Sequence, residues 1–347
     1  MHYCAMMFFT PAPMMIAAHL IRSKTIPPLC FAADLSEGYR LLAVGGADRV
    51  AFLQGLLTQD LLQLSPTHAQ FAALLTAGGK FLADMLVLSD GERVYLRLAA
   101  GEAEGLCKRL ALYKLRSQVT LELLPPASCV VYWTDNPDKA EELAAVFGLE
   151  AKAGACRWVL EQSQTCYLVD PRYAGLGVLQ ITLDGQLDMP APVQGFTAST
   201  AAAHRYHQLG LLVPEGAVDL EQNRSVILEY GYDRLAAIDW HKGCYVGQEL
   251  MARTHHLGQL RKGLYVLEMA EDAQLPAGTE VLAGGDSVGE VRGVAAAPEA
   301  GGVSRVLGLL KHDLLAEALT HQQPLSAAGY GLRLISDPPI GSLIINP

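Results

Sequence analysis

Two passages of the chain repeat the same order of predicted strands and helices, and this repetition limits the folds available to it. Short apolar runs between glycines or prolines predict the strands, and apolar residues at helical spacing predict the helices. The first passage has predicted strands at 39–44, 71–76, 81–89, 93–98 and 119–124, with helices from about 47 and at 102–116. The second has predicted strands at 128–133, 157–161 and 165–170, with helices at 138–147 and 200–208. Both orders approximate the ferredoxin-like β-α-β-β-α-β arrangement, so we expect an α+β protein rather than a doubly wound sheet.

The last part of the chain differs from these two passages. After about Leu260 the helical periodicity largely stops, and short apolar runs between glycines and prolines predict a small antiparallel barrel or sandwich. A chain of 347 residues also exceeds the size at which a single core keeps growing. The predicted divisions are a weakly ordered N-terminal extension at 1–33, a first ferredoxin-like module at 34–125, a second module with a functional loop at 126–259, and an antiparallel β-barrel at 260–347.

The charge balance argues against direct binding of nucleic acid. The chain has 26 Lys and Arg against 36 Asp and Glu, a formal net charge of −10. Proteins that bind nucleic acid directly usually carry a basic excess. Any anionic ligand must therefore meet a local basic patch. Charged residues make up 18% of the chain and hydrophobic residues 51%, which excludes intrinsic disorder of the chain as a whole.

The cysteines and the N-terminal segment bear on the cellular compartment. The seven cysteines are scattered and form no CxxC pair, which argues against a disulfide framework or a zinc site, so no resident metal is predicted. The apolar stretch at 5–21 is interrupted by two prolines and a histidine, so no membrane span or membrane partner is expected. We expect a bacterial cytoplasmic protein, and a mitochondrial matrix location stays open because the first acidic residue is Asp34.

The octapeptide KGCYVGQE at residues 242–249, called the signature loop below, concentrates residues with chemical potential. Two glycines bracket Cys244 and allow a tight turn or a close approach to a ligand. Between Lys242 and Lys262 there are four cationic residues and one acid, which supplies a basic patch. If Lys242 and Arg253 also lie beside the thiol in space, they lower its pKa. The alternative is that Cys244 is a small packed residue and that both cations are solvated surface charges.

These residues carry a resemblance to a known family. The signature loop resembles the KGCYxGQE motif of the YgfZ family of folate-binding proteins, relatives of the glycine-cleavage T-protein, an aminomethyltransferase. The run from 252 to 262, with HRY at 204–206 and VPEG at 213–216, is similar to the branch that contains the mitochondrial iron–sulfur cluster assembly factor. FLQG at 52–55 and LTQD at 57–60 match the T-protein-like opening. The resemblance covers the chain from about residue 35 onwards.

The resemblance implies both a fold and a function. The fold would be a pair of ferredoxin-like modules around a central channel, followed by a C-terminal barrel. The function would be that of a folate-binding accessory factor for assembly or repair of iron–sulfur clusters, affecting tRNA modification only indirectly. The implied cofactor is tetrahydrofolate or a related reduced folate, with a transient iron–sulfur species as cargo. The implied partners are iron–sulfur carrier or client proteins.

The resemblance also assigns roles to individual residues. Cys244 is the expected reactive residue, because a soft thiolate suits iron and sulfur chemistry. Lys242, which would lower the thiol pKa or meet the glutamate tail of the folate, and Asp84, a carboxylate on an apolar strand, are the other catalytic candidates. The expected cofactor-binding residues are Gln208, Glu229, Tyr245, Gln248, Glu249 and Arg253. For some of these a second interpretation stays open: Tyr245 either stacks on a pterin or fills the core, and Glu249 either orients the ligand or is a helix-start carboxylate.

Three departures from the family pattern affect these expectations. The paired aspartates of T-proteins appear here as Ala83-Asp84, which counts against aminomethyl transfer. The glutamate expected to hold the pterin is replaced by Gln208, which predicts weaker or altered folate affinity because an amide offers no anionic acceptor. In the motif before the signature loop, Glu229 is kept while the family's proline and asparagine are not.

Other functions compete with the first. The main alternative is a tetrahydrofolate-dependent one-carbon, or aminomethyl, transferase. A thiol hydrolase that uses Cys244 with His255 or His256 is a further alternative, although nothing in the sequence specifies the required base geometry. A folate-gated scaffold with no chemistry of its own is the last.

Overall fold

The computed structural model describes residues 30–160, 164–183, 195–258, 260–270, 273–299 and 301–335. Its α-helices are α1 (Arg49–Gln54), α2 (Ala103–Lys114), α3 (Ala140–Val146), α4 (Ala201–Gly210), α5 (Gly216–Asp219), α6 (Gln248–Leu257) and α7 (His312–Thr320). Its strands are β1 (Cys30–Asp34), β2 (Tyr39–Gly45), β3 (Gln70–Leu75), β4 (Phe81–Ser89), β5 (Val94–Ala99), β6 (Thr120–Leu123), β7 (Ser128–Thr134), β8 (Cys156–Val159), β9 (Thr165–Val169), β10 (Val178–Thr182), β11 (Thr197–Ala198), β12 (Lys262–Met269), β13 (Glu280–Ala283), β14 (Asp286–Ala295), β15 (Ser304–Lys311), β16 (Leu325–Ala327) and β17 (Tyr330–Leu334).

The first module is an antiparallel sheet in the order β3-β4-β5-β2-β6, covered on one face by α1 and α2. The sequence predicts a longer α1, because apolar residues recur at helical spacing as far as Leu61. The helix instead ends at Gln54, and the chain turns through 55–60 before a short 3-10 helix at Leu61–Gln63. Leu53, Leu57 and Leu61 are nevertheless all buried, so the apolar pattern marks the core correctly and the helix length wrongly.

The second module is a six-stranded sheet in the order β11-β1-β7-β10-β9-β8. Its strand β1 comes from before the first module and pairs antiparallel with β7, from Cys30 opposite Thr134 to Asp34 opposite Val130. The expected extension at 1–33 therefore includes too much, because residues 30–33 belong to a buried strand. Residues 1–29 lie outside the described part of the chain. The pattern also gave no sign of β10, which sits between β7 and β9.

The two sheets share one apolar core. Side chains from the first sheet, such as Phe71 and Leu86, belong to the same buried cluster as Trp133 and Leu179 from the second. The segment from Ile227 to Ile238 contributes further buried residues to this cluster. A polar group buried in this shared core needs a hydrogen-bond or ion-pair partner, because removing it from water is costly.

The third unit is a closed barrel in the order β12-β15-β14-β13-β16-β17, sealed by antiparallel pairing of β12 with β17. This confirms the predicted α+β class with a C-terminal antiparallel barrel. No helix within the described ranges is long and apolar enough to cross a membrane.

Candidate functional site

The ammonium of Lys242 fixes the signature loop to the first module. Its Nζ donates to the backbone carbonyls of Gln54, Leu57 and Gln59 at 2.9, 2.7 and 2.7 Å. An ammonium has three donors, so these three bonds use all of them. Burial lowers the pKa of Lys242 to about 8, although the nearby aspartates 60 and 239 oppose this shift. The structure thus gives Lys242 a positioning role, and its charge is directed to backbone carbonyls rather than to the solvent.

Backbone contacts extend this attachment along the same segment. The amide of Val246 donates to the carbonyl of Gly55 at 3.1 Å, and the amide of Asp239 donates to the carbonyl of Thr58 at 3.1 Å. The Thr58 hydroxyl donates in turn to the carbonyl of Ala237 at 2.5 Å. The chain from 237 to 246 therefore lies along residues 54–59, the turn that ends α1.

Gly247 allows the signature loop to touch the turn between β3 and β4. It has a φ of +85°, and a Cβ there would lie 2.5 Å from the carbonyl oxygen of Thr76 and 3.1 Å from Cα of Gly79. Gly79 itself has a φ of +77°, and its Cβ would lie 2.5 Å from Cβ of Leu250. Two glycines facing each other therefore permit a backbone approach that side chains would prevent. Gly243 is different, because a Cβ there meets nothing within 4 Å.

Residues 248–257 form helix α6, of which the sequence analysis predicts only a possible start at Glu249. The side-chain oxygen of Gln248 accepts from the amide of Tyr245 at 3.0 Å and closes the turn at the start of α6. Glu249 lies in the first turn and pairs with Arg253 at 2.7 Å, with both side chains mostly exposed. The interpretation of Glu249 as a helix-start carboxylate is therefore correct. The expected contacts of Gln248, Glu249 and Arg253 with a ligand are not tested by the structure.

The paired histidines lie at the end of α6 and not on a strand. The ring of His255 stacks on Trp240 with centroids 4.0 Å apart, and the edge of His256 meets His255 at 4.9 Å. Both rings therefore contact aromatic neighbours, and no hydrogen bond joins either of them to Cys244 among the described residues.

Cys244 is exposed and lies between Lys242 and Gly247, the two residues that hold the signature loop against the first module. In the described part of the chain, Cys30, Cys129, Cys156 and Cys166 are buried and Cys107 is partly buried. The interpretation of Cys244 as a packed core residue is therefore wrong. The expected activation by Lys242 and Arg253 is not supported by the geometry, because their charged groups contact backbone carbonyls and Glu249.

Tyr245 packs against the core between the modules. Its ring centroid lies 5.2 Å from Nζ of Lys242, and burial raises the pKa of its hydroxyl to about 12. Of the two interpretations left open for Tyr245, the structure supports core packing. Tyr245 also covers the ammonium that holds the loop.

Asp84 belongs to a separate polar cluster on the central face of the first sheet. A bulge opposite Leu74 and Leu75 interrupts the pairing of β3 with β4 just before Asp84, and bulges of this kind redirect side chains. Its Oδ2 accepts from the Tyr232 hydroxyl at 2.7 Å and from the Gly216 amide at 3.2 Å. Burial raises the pKa of Asp84 to about 6, although the Tyr232 hydrogen bond opposes the shift.

Glu215 is the second acid of this cluster and has the opposite shift. Its Oε1 accepts from the Tyr39 hydroxyl at 2.6 Å, and the guanidinium of Arg97 lies 3.3 Å above the Tyr39 ring. Burial alone would raise the pKa of Glu215, but the positive charge of Arg205 leads a group of influences that lower it. Around pH 6 the cluster therefore holds an ionised Glu215 and an Asp84 near the midpoint of its titration, a separation typical of functional acid pairs.

The sequence did not single out most of this cluster. Arg97 and Arg172 are buried, and Arg172 makes a two-pronged ion pair with Asp170 at 3.0 and 2.7 Å. The available signal was a lone arginine inside the apolar strand VYLRLA, together with Glu215 in the VPEG motif. A charge in such a position is costly unless it is paired, so it marks a buried partner.

Two further residues were predicted to bind the cofactor, Gln208 and Glu229. Gln208 on α4 is buried, and its Nε2 has no hydrogen-bond partner among the described residues. It lies one turn from Arg205, which pairs with Asp219 at 2.5 Å beside Glu215. Glu229 is half-buried, and burial raises its pKa against the opposing charges of Lys262 and Lys80.

The signature loop and the Asp84 cluster share no polar contact among the described residues. Among the described residues, no hydrogen bond or ion pair joins Asp84 to any residue of the signature loop. The same part of the chain holds no group of three or more His, Cys, Asp or Glu side chains placed to bind a metal. The catalytic roles of Cys244, Lys242 and Asp84 stay predictions.

Comparison with known proteins identifies the family. No family model matches the chain. The human iron–sulfur cluster assembly factor IBA57, a mitochondrial protein, is 32% identical over 280 residues, covering 76% of this chain and 74% of the relative. The chain belongs to the IBA57 family. Mouse IBA57 is 32% identical over 264 residues, covering 72% of this chain and 68% of the relative. The chain spans half the length of the Neurospora crassa IBA57 homologue, at 31% identity over 232 residues.

The fold of this IBA57-family chain is that of the T-protein. A crystal structure of the glycine cleavage system aminomethyltransferase T from Bartonella henselae matches with a TM-score of 0.67, covering 93% of this chain and 88% of that chain. The identity is 15%, so this likeness concerns the fold alone. The resemblance found from the signature loop is confirmed, together with the T-protein-like architecture.

Replacing Gly247 with alanine should loosen the signature loop. Gly247→Ala combines an unfavourable positive φ with a contact of 2.5 Å to Thr76, so we expect a loss of more than about 1 kcal/mol in the free energy of unfolding. Gly243→Ala is the matched control and should change it by less than about 0.5 kcal/mol. Urea denaturation of the two variants measures the difference. Equal stability of both would contradict the close approach described here.

Replacing Asp84 with asparagine should alter how stability depends on pH. The unfolded carboxyl ionises near its ordinary pKa, whereas the folded one keeps its proton up to about pH 6, so this group's contribution to stability decreases as pH rises from 4 to 6. Relative to the wild type, Asp84→Asn should therefore gain about 1–2 kcal/mol between pH 4 and pH 7, less than the full shift because Asp84 is only half-buried. Denaturation at a series of pH values tests this. Parallel profiles would show that Asp84 is not strained by burial.

Proposed function

We propose that the chain is an accessory factor for the assembly or repair of iron–sulfur clusters in client enzymes, and that it works through Cys244. The observation that carries this proposal is the exposed thiol of Cys244 on a loop that Lys242 and Gly247 hold against the first module. The name of the human relative, an iron–sulfur cluster assembly factor, supports the same reaction class. A preorganised loop presents the thiol without a cost of ordering it on contact.

The chemistry expected of Cys244 requires a second molecule. A thiolate is a soft ligand that suits iron, and iron–sulfur clusters in proteins are held mainly by several thiolates. Since the loop offers one thiol, the other ligands to the transient iron–sulfur species come from a carrier or client protein. Cluster-dependent enzymes then account for any effect on tRNA modification, with no direct contact between this chain and nucleic acid.

Replacing Cys244 with serine should abolish this function while leaving the fold intact. In cells that lack the chain, we expect wild-type protein to restore the activity of a [4Fe–4S] enzyme and Cys244→Ser to restore less than about a tenth of it, because a hydroxyl is a poor ligand for iron. Cys107→Ser, a partly buried cysteine on α2, is the control and should restore full activity. Full restoration by Cys244→Ser would remove the proposal.

The polar cluster fits a reduced folate. Asp84, Glu215 and Tyr39 keep some accessible surface although burial is the largest influence on the pKa of each, as expected for side chains that line a recess. Two buried donors have no partner among the described residues: Nε of Arg97, whose guanidinium lies over the Tyr39 ring, and Nε2 of Gln208, one helical turn from Arg205. A pterin offers both acceptors for such donors and donors for Glu215. When bound, a reduced folate supplies a nitrogen that accepts one-carbon groups.

This proposal places the folate at the polar cluster rather than at the signature loop. Glu215 and Asp84 would hold the pterin, and Gln208 would add an amide contact. Glu229, Tyr245, Gln248, Glu249 and Arg253 were all expected to bind the cofactor. The last four contact one another or the core in the loop, so they support the position of Cys244.

Titration with tetrahydrofolate distinguishes the two placements. Glu215→Gln should weaken binding about tenfold or more, because it replaces an ionised acceptor by a neutral amide. Gln208→Glu should tighten binding by restoring the anionic acceptor of the family pattern. Glu249→Gln is the control, an exposed carboxylate of the signature loop, and should leave the affinity unchanged. A loss of affinity in Glu249→Gln alone would place the ligand at the loop.

The second candidate function is a tetrahydrofolate-dependent aminomethyl transferase. The pKa of Asp84 near 6 favours it, because an acid that titrates close to neutral pH suits proton transfer. Ala83 counts against it, since the second aspartate of the T-protein pair is missing. Release of formaldehyde equivalents from a lipoylated carrier protein separates the candidates, because the assembly factor should give none above background.

The cellular compartment of this chain is a separate prediction. The human and mouse relatives are named as mitochondrial proteins. The bacterial cytoplasm expected from the sequence stays a prediction for this chain. Fractionation of cells that express the chain at its native level decides between the two locations.

A further inference from the structure

The outward side of α2 is unlike the rest of the protein surface. The inner side of this helix packs on the first module through Ala103, Leu106 and Leu110. The opposite side and the residues that follow the helix form one continuous surface, here called the α2 outer face. It consists of Lys108, Arg109, Leu112, Tyr113, Leu115 and Arg116.

The apolar residues of the α2 outer face project into solvent. Leu112 is 78% exposed and Leu115 is 89% exposed, and Tyr113 between them is 39% exposed. Leu115 ends the helix with φ 42° and ψ −108°, a conformation that residues other than glycine rarely adopt. Strained backbone of this kind persists where the surroundings enforce it and is frequent at functional sites. Here it holds a leucine almost fully in water.

The charges of the α2 outer face oppose those of the whole protein. Lys108, Arg109 and Arg116 are exposed and Lys114 is half-buried, and none of the four forms an ion pair within the described residues. The nearest acids on these elements are Glu104 in the first turn of α2 and Asp48, whose Oδ2 accepts from the amide of Gln118 at 2.7 Å. The chain as a whole has a net charge of −10. A local positive charge on an acidic protein orients it towards an anionic surface.

We propose that the α2 outer face is a peripheral docking site for an anionic lipid bilayer. A helix that carries exposed leucines and clustered lysines or arginines on one side has the pattern of interfacial membrane binding. The leucines enter the boundary between headgroups and acyl chains, and the cations contact the lipid phosphates. The inner side of α2 stays packed on the sheet, so docking requires no unfolding. The α2 outer face would bind at the surface of the bilayer and would not cross it. The proposal therefore replaces the expectation from the sequence that the chain has no membrane partner.

The exposure of the apolar side chains favours a bilayer over a protein partner. Leu112 and Leu115 lie almost fully in water, and the recess that Tyr113, Leu115 and Arg116 line with Asp48 and Ser117 is open and shallow. Protein–protein interfaces concentrate their binding energy in well-packed pockets filled from both sides, whereas a bilayer needs no complementary pocket. The proposal rests on α2 alone and is independent of the function assigned to Cys244.

The test is flotation of the full chain with lipid vesicles. The two probes are vesicles of phosphatidylcholine alone and vesicles of phosphatidylcholine mixed with phosphatidylglycerol. We expect binding to the second and not to the first, decreasing as salt is added because the ionic contacts are screened. The double variant Lys108→Glu/Arg109→Glu should weaken binding by about tenfold or more. Leu112→Ser with Leu115→Gly should also weaken it, and the glycine relieves the strained backbone.

Matched control variants distinguish binding through the α2 outer face from non-specific binding to the vesicles. Leu319→Ser removes a leucine that is 49% exposed on α7, and Lys152→Glu reverses an exposed charge of the second module. Both should bind the anionic vesicles like the wild type, and thermal unfolding confirms that each variant is folded. Equal binding by the α2 variants overturns the proposal. Absence of binding to either vesicle also overturns it.

Discussion

The attachment of Lys242 to the carbonyls of residues 54–59 organises the functional part of this protein. A single buried ammonium satisfies three backbone acceptors at the turn after α1, where those carbonyls have no helical partner. The bond set connects a segment that follows the second module to the first module, so the position of Cys244 depends on both. Gly247 then seats the end of the loop against the β3–β4 turn. Neither residue needs to touch a ligand to be required for function.

The polar cluster of the shared core, unlike the attachment of Lys242, reduces the stability of the fold. Asp84, Glu215 and their arginine neighbours lie where an apolar core would be more stable, because desolvation of a charge is compensated only by good partners. Arg172 and Asp170 achieve this by a two-pronged bond, whereas Asp84 is left with two donors to one oxygen and a raised pKa. A fold that keeps such a group gives up stability for chemistry or binding, as functional sites commonly do.

The sequence predicted the architecture better than the detailed geometry. Apolar spacing and turn residues identified the two α+β passages, the barrel and the signature loop, because these features are local. Of α6 it indicated only a possible start at Glu249, since Gly247 and the polar residues after it look like a loop until the glycine contact with the β3–β4 turn is known. The separation of Asp84 from the signature loop, and the partnership of Glu215 with Tyr39, depend on contacts between residues far apart in the chain. Single-sequence patterns carry no information about such contacts.

The placement of β1 affects how this chain reaches its fold during synthesis. The strand emerges first from the ribosome, but its partner β7 and the parallel strand β11 follow only after the whole first module. For an interval of about a hundred residues, β1 must therefore stay unpaired while its neighbours fold, and such long-range pairing slows the final step. The second sheet is complete only when β1 pairs with β7 and β11. The two modules therefore fold as one interdependent unit and not as two independent domains.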